Sequence, residues 1–375
     1  MKFLLTGGGT GGHFYPIVAI AQELKRIAGE NRMVDFELYF MSHSPYNQGI
    51  LYDNNLIFKK NYAGKIRRYF SVLNFFDLFK TGWGIIKSVW EIFLVYPDVV
   101  FGKGGYASFP ALFAARILRI PVVIHESDSV PGKTNLWAAK FARRIAVSYQ
   151  DAAKYFPKDK VAFTGQPIRK EIRETLSANA HEYFGLDKNI PVVLILGGSL
   201  GASAINEVMM EALPKLVEKY QIIHQTGKDH LDEVKKTVEV VLQNNPNKNR
   251  YKAFPFLNDL ELRSAAGAAT IVISRAGSSI FEIASWGIPS IIIPIPSSNG
   301  DHQTKNAFAY ARTGAAAVIE QNNLSGNILF AEIERITSDP ELYQKMKEST
   351  KNFVRADAAT LIAEEILKIA LKHEQ

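Results

Sequence analysis

Two glycine-rich turns stand out among the residues that could do chemistry. The first, Thr6-Gly7-Gly8-Gly9-Thr10-Gly11-Gly12-His13, follows a short apolar run and precedes a stretch with helical spacing. Such a turn brings backbone N–H groups and a helix N-terminus against an anion. It matches G-x-G-x-x-G at Gly7, Gly9 and Gly12, so a nicotinamide dinucleotide is one reading, and a diphosphate of any other owner fits equally well. Geometry alone could also require glycines in a strand-to-helix turn. His13 at the helix start adds a group that can exchange protons near neutral pH. The second turn, Gly197-Gly198-Ser199-Leu200-Gly201-Ala202-Ser203, repeats the pattern in the other half of the chain, which suggests two phosphorylated ligands. No G-x-x-x-x-G-K-[ST] occurs, which argues against an ATPase.

Other motifs fall where loops after strands belong. They are Gly102-Lys103-Gly104-Gly105-Tyr106, His125-Glu126-Ser127-Asp128, Thr164-Gly165-Gln166-Pro167-Ile168-Arg169, Ser274-Arg275-Ala276-Gly277-Ser278-Ser279 running on to Glu282, and Asp301-His302-Gln303 running on to Asn306. Each has a bland alternative: His125 could simply end a buried strand, and Asp301 could cap a helix. Their combination favours a site.

The elements that must position these loops alternate strand and helix. Lys2–Thr6, 35–41, 98–101, 122–125 and 145–148 read as strands, with helices over 15–26 and 108–118; a second series has strands at 191–196, 222–225, 269–274 and 289–294, with a helix over 204–220. The pattern predicts an α/β protein with two Rossmann-like, doubly wound domains facing a cleft. The expected division is residues 1–164, 165–345, and a C-terminal helix over 346–375 that packs back on the first domain, with residues 340–372 helical throughout.

The 375 residues contain no cysteine, so disulfides and thiol chemistry are excluded. The N-terminal apolar run is too short for a signal peptide, and a cytoplasmic protein is expected. The net charge of +7 is unevenly distributed: residues 1–165 hold 21 basic and 12 acidic side chains, a surplus of nine, while the remainder is slightly acidic. A basic half can face nucleic acid, an anionic bilayer or a phosphorylated substrate.

Taken in order, the GGGTGGH loop, the GGY loop, the HE-x-x segment followed by Pro131-Gly132-Lys133-Thr134-Asn135, the G-x-P-x-R hinge, the GGS-x-GA turn, the SRAG segment and DHQ-x-x-NA resemble the MurG glycosyltransferases along essentially the full chain. These are the UDP-N-acetylglucosamine:N-acetylmuramyl-(pentapeptide) pyrophosphoryl-undecaprenol N-acetylglucosamine transferases, which make lipid II from lipid I. The resemblance implies a GT-B fold, with UDP-GlcNAc on the C-terminal domain and the lipid-linked acceptor on the N-terminal one. It further implies inverting transfer to the 4-hydroxyl of MurNAc, without a cofactor or metal.

By that resemblance Arg169, Ser199, Leu257, Ser278, Ser279, Glu282 and Gln303 match donor-site positions. Glu282 would accept from the ribose hydroxyls, Gln303 would read the sugar, and the Gly277 turn with Ser199 would neutralise the leaving diphosphate. Thr10, Gly11 and Gly12 lie on the acceptor side of the cleft and count among the positions that meet the donor. Tyr106, Asp128 and Asn135 match acceptor positions. His13 is the favoured general base and Glu126 the competitor for that role. Two departures stand out: Asp128 replaces a usual Asn, a carboxylate that would repel the acceptor diphosphate unless Lys103 or another cation compensates, and the spacing from the SRAG glycine to Glu282 is one residue shorter than usual. Glu126-x-Asp128 lacks the further ligands a divalent ion needs.

The basic half gains a meaning beside the aromatic-rich segment from Lys59 to Trp90, which includes Lys65, Arg67, Arg68, Phe75, Phe76, Phe79, Lys80, Trp83 and Lys87. Charges and Pro97 interrupt it, so it is not expected to span a bilayer. Peripheral attachment to an anionic membrane, at the cytoplasmic face, is the reading a polyprenyl-linked acceptor calls for, and nucleic acid is not expected. The alternative is a core helix pair, with part of Trp90–Val95 buried in any case. Glycosylation of another lipid such as diacylglycerol, or a nicotinamide-dependent oxidoreductase, remain as alternative activities.

Overall fold

The computed structural model describes residues 1–64, 73–198, 201–296 and 299–373. The chain forms two compact units, Met1–Arg169 with Arg355–Gln375, and Lys170–Val354.

In the first unit the described strands are β1 (Lys2–Thr6), β2 (Glu37–Ser42), β3 (Leu56–Lys60), β4 (Val99–Gly102), β5 (Val122–Glu126), β6 (Arg144–Val147) and β7 (Val161–Phe163). They pair in the order β3-β2-β1-β4-β5-β6-β7, all parallel. The central strands are continuous apolar runs with no solvent face, as a parallel sheet covered on both sides requires: Phe3, Leu4, Leu5, Val100 and Phe101 are fully buried. The strand order reverses at β1, with β2 and β3 added on one side and β4 to β7 on the other, so β1 and β4 form the switch point beyond which ligands of such sheets bind.

The helix Gly11–Glu30 begins at the glycine loop and buries Phe14, Ile17, Val18, Ile20, Ala21 and Leu24. The helix Ala358–His373 adds Ile362, Ala363, Ile366, Leu367 and Ala370 to the same core, so the end of the chain is part of the first unit. The helix expected over 340–372 is two helices, Pro340–Ser349 and Ala358–His373. Pro340 occupies the first turn, where no N–H is needed, and the Asp339 side chain accepts from the Glu341 and Leu342 N–H groups.

The units divide at Arg169/Lys170 and Val354/Arg355, against 164/165 and 345/346 read from the sequence. Contacts explain both shifts. Nε2 of His125 donates to the Gly165 carbonyl, Ser148 Oγ donates to Gln166 Oε1, and the Arg169 guanidinium lies 4.2 Å from the Tyr15 ring centre, so residues 165–169 are held by the first unit. Phe353 stacks on Phe281, packs against the tilted ring of Tyr310, and stays with the second.

The second unit carries β8 (Val192–Leu196), β9 (Gln221–Gln225), β10 (Tyr251–Phe254), β11 (Ile271–Ser274), β12 (Ser290–Ile292) and β13 (Ala316–Val318) in the parallel order β10-β9-β8-β11-β12-β13. The helix Ser203–Lys219 covers one face with Ile205, Met209, Leu213 and Leu216. In each unit the first strand of the sheet is followed in sequence by a glycine-rich stretch and then a helix, although the second unit has two short helices, Lys170–Arg173 and Ala180–Phe184, ahead of that strand.

The helix Leu73–Val95 shows the opposite of a core pattern. Ile92 and Val95 are buried, but Phe75, Phe76, Leu78, Phe79, Trp83, Ile86, Trp90, Phe93 and Leu94 are exposed. Of the Trp90–Val95 stretch only part is core. The loop Asn61–Gly64 lies hard against this helix: a side chain at Gly84 would run into the Tyr62 carbonyl, and one at Gly64 into Asp77. Lys65, Arg67 and Arg68 lie outside the described residues.

Candidate active site

In the first unit the sequence motifs converge at the carboxyl ends of β1, β2, β4 and β5. Thr10 stands at the N-cap of Gly11–Glu30 but its side chain makes no cap bond; Oγ1 instead lies 3.0 Å from His13 Nδ1. The hydroxyl thereby orients the imidazole. Gly11 and Gly12 make the first helical turn, where backbone N–H groups have no intrahelical acceptor. On the far side of the ring is Gly105, with φ of +78°; a Cβ there would stand 3.4 Å from His13 Nε2. Gly104, at φ +87°, approaches Asn135 so closely that a Cβ would lie 2.7 Å from its Nδ2. The GGY loop thus needs glycine at both positions for conformation, and at Gly104 for clearance as well.

Tyr106 follows, and its hydroxyl lies 3.4 Å from Nε2 of His43, a residue of the loop after β2. Burial, with Lys80 adding to it, lowers the His43 pKa, while burial and Asp77 raise that of Tyr106. Both are therefore biased toward neutral forms at physiological pH. Nothing in the sequence marked His43, which stands in Ser42-His43-Ser44-Pro45 without a recognisable pattern.

Glu126 ends β5 and is buried. Its Oε1 accepts from the Asp128 N–H at 3.0 Å, and its Oε2 accepts from the Gly132 N–H at 3.0 Å and from Asn135 Nδ2 at 2.9 Å. Asn135 also donates to the His125 carbonyl at 3.0 Å. Three donors fold the loop around one carboxylate, so Glu126 is built to hold Asp128 and Asn135 in place. Burial and then the Asp128 charge raise its pKa, and the same three donors oppose the rise. Lys103, on the adjacent loop, is fully buried and donates to Ser127 Oγ at 2.8 Å.

In the second unit the loops after β8, β10, β11 and β12 carry the positions that the sequence resemblance matches to the donor. Gln225 joins two of them: its Nε2 donates to the Gly198 carbonyl at 3.1 Å, and its Oε1 accepts from the Leu257 N–H at 3.1 Å. Leu257 is buried behind that contact. Ser278 occupies the N-cap of the helix Ser279–Trp286, and Ser279 Oγ lies 3.3 Å from Ser274 Oγ. Glu282 sits in the first turn of that helix. Gln303, on the helix His302–Ala311, accepts from the Ile295 N–H at 3.0 Å, and Asn306 of the same helix donates to the Ala276 carbonyl at 3.2 Å. These bonds fix the SRAG loop, the loop after β12 and this helix relative to one another. Arg275 donates to the Ile293 carbonyl, and burial lowers its pKa to about 10, still a full cation at neutral pH. Ser199 lies outside the described residues.

The same two halves are matched by family models: the glycosyltransferase family 28 N-terminal domain over residues 3–147 and the family 28 C-terminal domain over residues 192–362. A Bacillus thuringiensis protein named UDP-N-acetylglucosamine–N-acetylmuramyl-(pentapeptide) pyrophosphoryl-undecaprenol N-acetylglucosamine transferase 2 is 37% identical over 92% of this chain and 93% of its own. The chain belongs to the MurG family of glycosyltransferases. A Clostridium botulinum enzyme named as the same kind of transferase is 34% identical over 94% of this chain and 97% of its own. Among solved structures, Acinetobacter baumannii MurG superposes with a TM-score of 0.72 at 25% identity, covering 98% of this chain and 99% of its own. UDP-GlcNAc 2-epimerase of Neisseria meningitidis shares the fold at a TM-score of 0.70 and 16% identity, covering 98% and 100%. The two parallel sheets are those of the GT-B fold.

Within this MurG-family chain, Thr10, Gly11, Gly12, His13, Tyr106, Glu126, Asp128, Asn135 and Arg169 all belong to the first unit. Leu257, Ser278, Ser279, Glu282 and Gln303 belong to the second. Arg169, matched to the donor side by resemblance, is anchored on Tyr15 of the glycine-loop helix.

Proposed function

We propose that the protein transfers GlcNAc from UDP-GlcNAc to the 4-hydroxyl of MurNAc in lipid I, with inversion, giving lipid II for peptidoglycan. The observation that carries this reading is the 37% identity over 92% of the chain to an enzyme named for that transfer. In the reaction the acceptor oxygen attacks the anomeric carbon, the C1–O4 bond forms as the C1–O bond to UDP breaks, and the hydroxyl proton passes to a base. His13 takes that role, since its Nδ1 is held by Thr10 and its Nε2 edge faces the GGY loop. Glu126 suits the role less, because three donors already occupy its oxygens. On the donor side, backbone N–H groups at the start of Ser279–Trp286 would meet the diphosphate and Glu282 the ribose. Gln303 would contact the sugar.

The acceptor's polyprenyl chain requires a membrane, and the helix Leu73–Val95 offers a surface for it. Phe76, Phe79, Trp83, Ile86, Trp90 and Phe93 recur at alternating intervals of three and four residues and are each more than half exposed. That places one apolar stripe, aromatic except for Ile86, on one helix face. Lys60 and Lys80 are exposed nearby in sequence, suited to anionic headgroups. No helix among the described residues is long and apolar enough to cross a membrane. The apolar stripe and these lysines support peripheral attachment, which we place at the cytoplasmic face as part of this proposal.

The test is transfer of labelled GlcNAc from UDP-GlcNAc to a lipid I analogue by the purified protein, with diacylglycerol as the competing acceptor. Product on the lipid I analogue alone supports the assignment; product on diacylglycerol, or none on either, overturns it.

A further inference from the structure

Lys103 is one of the largest fully buried side chains in the protein, an unusual place for a lysine. Its position is fixed at both ends. The backbone N–H donates to the Thr6 carbonyl at 2.8 Å, continuing the β1–β4 pairing. The stem lies against Gly7, where an added Cβ would come 2.9 Å from Lys103 Cβ. The ammonium reaches across to the loop after β5 and donates to Ser127 Oγ at 2.8 Å. One side chain therefore ties the glycine loop, the GGY loop and the acidic loop together. The acidic loop needs a cation: Glu126 is buried, Asp128 is half-buried two residues on, and the two repel each other. Without Lys103 these carboxylates would face any anionic substrate arriving at the glycine loop.

We propose that Lys103 is a positioning residue for an anionic acceptor: its buried ammonium holds the Ser127–Asp128 turn against the glycine loop and offsets the carboxylates there. This rests on the acceptor reading given above. It touches no substrate itself and acts through Ser127 and Asp128.

Burial lowers the Lys103 pKa to about 8, with Glu126 and Asp128 opposing the fall, and the lysine in turn helps to lower that of buried His125. Lys103 is thus protonated below about pH 8 and loses its charge above it. His125 is neutral across that range, so it does not obscure the transition.

The test is calorimetric binding of a water-soluble lipid I analogue, and separately of UDP-GlcNAc, to the full chain as wild type, Lys103→Met, Asp128→Asn and the double variant, between pH 6.5 and 9.5, with a melting curve for each. Lys103→Met should weaken analogue binding by about tenfold or more at pH 7 while leaving UDP-GlcNAc affinity unchanged, as expected when an offsetting charge is lost beside carboxylates. The double variant, with both charges gone, should recover to within about threefold of wild type. Wild-type analogue affinity should fall as the pH passes through about 8, and the double variant should not follow. Normal analogue binding by Lys103→Met, or a double variant weaker than Lys103→Met, overturns the proposal. If Lys103→Met fails to fold, the double variant and the wild-type pH profile decide the matter. A wild type that binds UDP-GlcNAc but no analogue rejects the acceptor reading itself, and the proposal with it.

Discussion

The Thr10 hydroxyl lies 3.0 Å from Nδ1 of His13, although Thr10 stands where a threonine ordinarily caps the helix backbone. The cap bond has been given up to orient an imidazole. His13→Ala should lower kcat by about 10² or more with UDP affinity nearly intact, as for a lost general base. Thr10→Val should lower kcat by a smaller factor, about tenfold, because the ring remains but loses its orienting partner. Steady-state kinetics with parallel UDP calorimetry check both, and near-normal turnover of His13→Ala would move the base role elsewhere.

Glu126 invites a different substitution. In Glu126→Gln an amide NH₂ replaces one carboxylate oxygen and meets N–H donors from Gly132 and Asn135 or from Asp128. Loss of an acceptor for a buried donor should cost about 1 to 3 kcal/mol of stability. The acceptor KM should rise more than kcat falls, since the loop loses its shape and not its proton acceptor. Denaturant unfolding and kinetics distinguish this from a base, whose loss would collapse kcat without touching the melt.

Glu282, in the first turn of Ser279–Trp286, is assigned to the donor ribose. Glu282→Ala should weaken UDP-GlcNAc binding by about 1 to 3 kcal/mol through loss of charge-assisted hydrogen bonds. Unchanged affinity by calorimetry rejects the assignment.

The central strands were legible because they are buried on both faces and read as unbroken apolar runs; β1, β4, β5, β8 and β11 were all placed within a residue or two. The strands that the sequence pattern does not reveal are β3, β7, β10 and β13, which are the edges of the two sheets. Leu56–Lys60 buries only Leu56 and ends in two lysines, and Val161–Phe163 is mostly exposed, so neither carries enough apolar periodicity to declare itself. The site shows the same division. Glycine loops are visible through their composition, and Glu126 and Asn135 through the family resemblance. His43 has no local pattern, and the burial of Lys103 contradicts the ordinary preference of lysine for the surface. Both depend on which strands lie side by side.

Buried histidines make the protein sensitive to acid. His224 accepts at Nδ1 from the Tyr251 hydroxyl, at 2.7 Å, and donates through Nε2 to Asn206 Oδ1, at 3.0 Å; the Asn206 amide is oriented by donating to the Thr226 carbonyl. Burial pushes its pKa down to about 3. Between that value and about 6.5 the unfolded chain binds the proton and the folded one does not, so stability falls as the pH falls through this window. The upper bound is about 1.4 kcal/mol per pH unit for one such group. His125 acts in the same direction. Denaturant unfolding at pH 7, 6 and 5 should show a shallower dependence for His224→Gln than for wild type, and parallel slopes would reject the account.

The aromatic face of Leu73–Val95 allows two forces at a membrane to be separated. Phe75, Phe76 and Phe79 are exposed, so replacing all three with Ser should leave the melting curve almost unchanged, which a core location would forbid. Each phenylalanine buried in the bilayer interface contributes up to about 1.5 to 3 kcal/mol, a term that salt does not screen. The triple Ser variant should therefore bind anionic vesicles more weakly at every ionic strength. Lys60 and Lys80 act through the surface potential, at about 1 kcal/mol each, within a Debye length of about 10 Å at 0.1 M salt. Their replacement by Gln should matter at low salt and fade as salt rises. Cosedimentation with vesicles of defined anionic content, run across a salt series beside the melts, reads both terms. A wild-type protein that ignores such vesicles at low salt removes the membrane role from this helix.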